Sequence, residues 1–207
     1  MALWLLPMQA ALKPITTQEA QWANQLPRKR SQQFTHSRGC VRDALSTLWG
    51  IAPLDIPLQA PPGEPPVLAN GWGHVSFSHC SDALFIGWSP KRIGVDIEKA
   101  DRFFKADQLL QRYFSTKDKI ALQMLNEEKR RPAILQEWVT KEAAIKWQRG
   151  ALMKDFQEWS FCKNSKKAIH QTLGYQITVQ NLHHKSWFIA IAFDRSIHKH
   201  PHIICHG

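Results

Sequence analysis

The 207 residues are 43% hydrophobic and 21% charged, enough apolar material for one large or two small packed domains and unlike the composition of a disordered chain. Lys and Arg number 27 against 17 Asp and Glu, giving a formal net charge of +10 and a pI near 9.7. That balance favours polyanionic partners, among them nucleic acid, anionic membrane, phosphorylated small molecules and acidic proteins, without choosing between them.

The opening Met1-Ala2-Leu3-Trp4-Leu5-Leu6-Pro7 is apolar, but it has no basic leader and meets Pro7 too soon for a signal peptide or a span. It reads as a first β-strand. No other stretch is long enough to cross a bilayer, so a cytoplasmic protein without a membrane partner is expected. Residues 16–50 are helical in pattern, with Thr16 or Thr17 as cap and an interruption at Pro27. The basic run Arg28-Lys29-Arg30 follows, and then Cys40, Val41, Ala44, Leu45 and Leu48 recur at helical spacing up to Gly50. Residues 51–73, rich in Pro and Gly, read as a loop.

Three strand-like runs come next, at 75–79, 83–88 and 92–98, separated by Ser81-Asp82 and Ser89-Pro90-Lys91 as in a meander. The pattern from 102 to 149 is helical, with breaks near Phe114-Ser115 and around Pro132. Strands are expected at 156–161, 175–182 and 187–193, the last two as a hairpin, before a His-rich polar tail beyond Arg195. The four cysteines, Cys40, Cys80, Cys162 and Cys205, show no Cys-x-x-Cys spacing and are read as reduced thiols. The expected class is α+β: two similar lobes, residues 1–99 and 100–207, each with helices on a small antiparallel three-stranded sheet.

Two segments carry chemistry. In Ile93-Gly94-Val95-Asp96-Ile97-Glu98 the apolar residues alternate with Gly94, Asp96 and Glu98. One face therefore holds two carboxylates roughly 7 Å apart at Cα. Oxygen-only ligands of that kind suit Mg²⁺ completed by water and phosphate; acidic residues facing solvent are the plainer reading. In Trp138-Val139-Thr140-Lys141-Glu142-Ala143-Ala144-Ile145-Lys146-Trp147, Glu142 and Lys146 are four apart on one helix face. An isolated pair of this kind is a surface contact worth about 0.2–0.5 kcal/mol, but two tryptophans and Lys141 crowd this one.

Taken together, these segments resemble the paired signature of the 4′-phosphopantetheinyl transferases: Gly-(Val/Ile)-Asp, a helical spacer, then (Phe/Trp)-(Ser/Cys/Thr)-x-Lys-Glu-(Ala/Ser)-x-x-Lys. Val139 departs where a small polar residue is usual. Upstream, Phe34-Thr35-His36-Ser37-Arg38-Gly39-Cys40-Val41-Arg42-Asp43-Ala44-Leu45, Gly63-Glu64-Pro65 and Ser76-Phe77-Ser78-His79-Cys80 are similar to segments of the monomeric, two-lobed Sfp-type members.

The resemblance implies a pseudo-two-fold pair of lobes with the active site in the cleft between them. It implies transfer of 4′-phosphopantetheine from coenzyme A to a serine of an apo acyl or peptidyl carrier protein, with release of 3′,5′-ADP. Asp96, Glu98 and Glu142 would hold Mg²⁺, with Mn²⁺ an alternative. Glu142 would take the serine proton, and Lys146 would stabilise the phosphate oxygens. Arg38, Arg42 and His79 would clamp the 3′-phosphate, Ser78 the pyrophosphate, and Lys141 would assist; backbone near 63–65 would touch adenine. Family carriers are acidic around their serine, so the insert at 102–131, with Phe103, Phe104, Tyr113, Phe114, Met124 and many basic residues, is the expected dock.

The high net charge and nine tryptophans motivate a rival reading, a nucleic-acid-binding protein without enzymatic activity. The basic residues are dispersed, however, and no helix-turn-helix, zinc-finger or RNP signature is present. A second rival, a metal-binding protein built on the ten histidines, lacks an ordered ligand set.

Overall fold

Apolar residues at the start of the chain form β1 (Ala2–Pro7), whose Leu3, Trp4 and Leu5 are buried. The computed structural model describes residues 1–162, 164–194 and 203–205, so most of the expected His-rich tail lies outside the described residues. These fall into two units, one covering Met1–Pro90 with the strand Ile203–Cys205, the other starting at Lys91. The division thus comes after Pro90 rather than after residue 99.

In the first unit Thr16 caps α1 (Thr17–Asn24) through a capping box with Glu19, and α2 (Arg28–Trp49) follows Pro27. It stops at Gly50, whose φ of 68° is the left-handed conformation that ends a helix at low cost to glycine. The segment expected to be irregular holds a single 3₁₀ turn at Pro53–Asp55 and a two-stranded ribbon, β2 (Leu58–Gln59) and β3 (Val67–Leu68). β4 (His74–His79) and β5 (Ala83–Ser89) form the expected hairpin. β5 also pairs with β1, and β1 pairs in parallel with Ile203–Cys205, giving four strands among the described residues instead of three. Cys40, Val41, Ala44 and Leu45 of α2 pack against Trp4, Val75, Leu84 and Ile86 to make the core.

The second unit opens with β6 (Ile93–Lys99), the strand read above as the third of a meander. Its partner is not β5: it leaves for a different sheet. The helices are α3 (Ala106–Tyr113), α4 (Thr116–Gln123), α5 (Glu127–Gln148) and the short α6 (Leu152–Asp155). Then come β7 (Trp159–Cys162), β8 (Lys167–His170), β9 (Gln176–His184) and β10 (Trp187–Phe193). The antiparallel sheet has the order β6-β10-β9-β8-β7, with Asp96 opposite Ala190 and Glu98 opposite Phe188.

The break at Ser115 is present, where its hydroxyl caps α4. The break expected at Pro132 is not: Asn126 caps α5, and Pro132 sits near the start of the helix, where its missing N–H costs one bond. Strand β8 escaped the sequence reading because Lys167-Ala168-Ile169-His170 is short and half polar. Among the described residues no helix is long and apolar enough to cross a membrane.

Candidate active site

The site begins with a glycine. A Cβ on Gly94 of β6 would lie 2.0 Å from the carbonyl oxygen of Ala143 and 2.3 Å from the amide nitrogen of Trp147, both in the backbone of α5. Only a residue without a side chain lets helix and strand touch at this point. Val139, Ala143, Ala144 and Trp147 of the same helix are buried in the core of this unit.

This close approach brings together the charges that the sequence separates. Lys146 Nζ donates to Asp96 Oδ1 at 2.6 Å, and Glu142, one turn earlier, has Oε2 3.9 Å from the same ammonium. Asp96 is buried at 2% exposure. Glu98, two residues along β6, pairs with Arg102. Three carboxylates face two cations, which leaves one negative charge unbalanced when all are ionised.

The electrostatics follow from that excess. Burial, and then the Asp96 charge, push the Glu142 carboxyl up to about 8. Burial likewise raises Glu98, against the pull of Arg102. Burial alone would lower the Lys146 ammonium, yet Asp96 and Glu142 outweigh it, so Lys146 holds its proton more tightly than a free lysine.

A carboxyl near neutrality beside two others is the kind of donor set that a hard divalent cation relieves, by replacing a proton. Among the described residues, though, no three His, Cys, Asp or Glu side chains stand as a ready metal cage. Lys146 and Arg102 already engage Asp96 and Glu98. The residues fit an ion held by one or two carboxylates and completed by ligand oxygens and water, which is the habit of Mg²⁺.

Lys141 does not join this cluster. Its buried ammonium donates to Asp118 Oδ2 at 2.5 Å and to the Phe156 carbonyl at 3.3 Å, with the Phe114 and Phe156 rings beside it. One position from Glu142 on a helix is about 100° around the axis, and that rotation turns Lys141 into the core.

The first unit gathers a separate group. A cavity of about 140 Å³ is walled by Arg30, Gln33, Arg38, Gly63 and His79, among others. Arg38 Nε donates to the Ala60 carbonyl at 2.9 Å, and its guanidinium lies over the Phe34 and Phe77 rings. Burial lowers its pKa to about 10, the mark of a cation short of counter-charge.

Arg42, one turn on, has other work. It is 2% exposed, and Nε donates to Glu19 at 2.8 Å. Nη1 reaches the carbonyls of Ile56 and Pro53, and Nη2 that of Leu58. It braces the proline-rich segment and is not a wall of the cavity. Ser78 precedes His79 on β4, so strand alternation sends it to the opposite face. Sequence reasoning missed Arg102, although its four-residue spacing from Glu98 was visible, and saw Arg30 only as part of a basic run.

A family model described as the 4′-phosphopantetheinyl transferase superfamily matches residues 92–196, just over half of the chain. The chain belongs to that superfamily. The match starts at β6 and takes in Asp96, Glu98, Glu142 and Lys146, so the cluster built above lies within the matched region of this phosphopantetheinyl transferase. No curated protein matches the chain.

Proposed function

We propose that this phosphopantetheinyl transferase is a monomeric, cytoplasmic enzyme of the two-lobed Sfp type. It moves 4′-phosphopantetheine from coenzyme A to a serine hydroxyl of an acidic apo acyl or peptidyl carrier protein. The serine oxygen bonds to the phosphorus that bears pantetheine, the bond from that phosphorus to the 3′,5′-ADP oxygen breaks, and the serine proton leaves to a base. The carrying observation is the Asp96–Lys146–Glu142 cluster on β6 and α5.

Glu142, beside Lys146 on the same helix face, is the group that would accept that proton, a role typically worth about 10² to 10⁴ in rate. Lys146, held charged by its neighbours, faces the developing charge on the phosphate oxygens without needing to reorganise. Mg²⁺, or Mn²⁺ in its place, would be held by one or two of the carboxylates Asp96, Glu98 and Glu142 and would supply charge neutralisation on the pyrophosphate.

The cavity of the first unit is the proposed 3′-phosphate site, with Arg38, Arg30 and His79 as donors. Arg42, Lys141 and Ser78 are left out of the binding set because of their positions. For the carrier, Phe103 and Met124 are 90% and 83% exposed on the same chain segment that carries Lys105, Lys117 and Lys119, whereas Phe114 is core. An apolar spot with a basic rim suits an acidic partner.

The deciding experiment incubates apo carrier proteins with coenzyme A and Mg²⁺ and weighs the products. A gain of one phosphopantetheine mass is expected, and Glu142→Gln should abolish it. Wild-type turnover by that variant would remove Glu142 as the base, and no mass gain on any carrier class would remove the reaction.

A further inference from the structure

Beyond Lys146, α5 ends in a buried polar knot that the proposed chemistry does not use. Gln148 Oε1 accepts from Trp159 Nε1 at 2.8 Å, and Gln148 Nε2 donates to Asp155 Oδ1 at 3.1 Å. The other oxygen of Asp155 accepts the Ala151 amide at 2.7 Å. His170 accepts the Leu173 amide on Nδ1, which leaves its N–H on Nε2, 3.5 Å from Asp155 Oδ1. Asp155, Trp159 and His170 are all buried, and Arg149, at φ 63°, turns the chain sharply before Gly150. A Cβ on Gly150 would lie 2.4 Å from Asp155 Oδ2, so the turn is shaped around this carboxylate.

A helix end tied to two strands in this way cannot slide or rotate freely. Gln148 comes from α5, Asp155 from α6, Trp159 from β7 and His170 from β8, so the knot spans four elements. Lys146 stands two residues before Gln148, and its ammonium must stay within hydrogen-bond reach of Asp96.

We propose that Gln148, Asp155 and Trp159 are positioning residues that fix the register of α5 and so the placement of Lys146 and Glu142 against β6. The effect on turnover rests on the transfer reading above. Misplacing a reacting group by 1 Å costs on the order of 10²-fold in rate, whereas ground-state binding of coenzyme A elsewhere is spared.

The test is a swap of the two partners. Gln148→Glu sets two carboxylates against each other, and Asp155→Asn removes an acceptor. Each should lower kcat by on the order of 10²-fold while KM for coenzyme A stays within about twofold. The double variant restores one amide facing one carboxylate, though not the oxygen facing His170, and should recover part of kcat. Amide hydrogen exchange in the last turn of α5, read without substrate, should quicken in each single variant and recover in the double.

Unchanged kcat in the singles, no recovery in the double, or unchanged exchange in α5 would overturn the inference. If wild type makes no product with any carrier, the transfer reading fails, and the exchange data alone decide whether the knot holds α5. Should a single variant not fold, Trp159→Phe deletes one donor, keeps an aromatic ring and is held to the same readouts.

Discussion

A methyl group on Gly94 probes the contact on which the whole site depends. An added Cβ would stand 2.0 Å from Ala143 O and 2.3 Å from Trp147 N, while real Cβ contacts essentially never fall below 3.0 Å. Both obstacles are helix backbone, which cannot swing aside as a side chain can. Gly94→Ala must therefore part α5 from β6 by about 1 Å. Overpacking a close-packed interior costs about 1–3 kcal/mol, and a backbone obstacle puts this case near 3. At about 2–4 °C per kcal/mol for a chain of this size, Tm should drop by roughly 6–12 °C.

The same displacement would stretch the Lys146–Asp96 bond from 2.6 Å to about 3.6 Å, outside hydrogen-bond range. Transfer should slow on the order of 10²-fold even where the variant is fully folded. Urea and thermal denaturation measure the first effect, and steady-state kinetics well below Tm the second. A variant within about 0.5 kcal/mol of wild type would show that α5 and β6 have slack here, and the account of the glycine would be wrong.

Four further outcomes are expected. Glu142 keeps its proton to about 8 when folded but to only 4.5 as an unperturbed side chain, so the folded state binds more protons between those values. Metal-free wild type should then lose stability relative to Glu142→Gln as pH rises across that window and level off above it; denaturant titrations giving a pH-independent gap would contradict this. Arg42→Met strands the buried Glu19 carboxylate and should cost about 3–5 kcal/mol, against a prediction of weakened coenzyme A binding alone if Arg42 were only a phosphate ligand. Lys141→Met should lower stability and leave the kcat of folded protein near wild type, whereas Lys146→Met, which also strands a buried carboxylate, should lower both; equal kcat losses would merge roles that the geometry separates. Charge reversal at Lys117 and Lys119 should raise KM for the carrier and spare that for coenzyme A, a split visible by varying one substrate at a time.

The sequence by itself determined most of the longer elements and the side chains that share a face of each. The two-residue period of Ile93–Lys99 put Asp96 and Glu98 on one side, and four-residue spacing aligned Glu142 with Lys146. Both are short-range consequences of backbone geometry, legible without knowing the neighbours. Gly94 could be read as part of a motif, but its reason, a helix backbone within contact distance, is not written in the strand.

Only the tertiary structure decided which elements meet. β6 could have closed a meander with β5, as its position in the chain suggested; it pairs with β10 instead, and local alternation is satisfied either way. Long cationic side chains show the same limit. Arg38 and Arg42 are one turn apart on α2, yet one walls a cavity while the other binds Glu19 and three carbonyls. Lys141 and Lys146 share α5 and serve different carboxylates. A charged group settles where folding places its counter-charge, because burial makes the unpaired alternative too costly, and that location is set by chain segments far away in sequence.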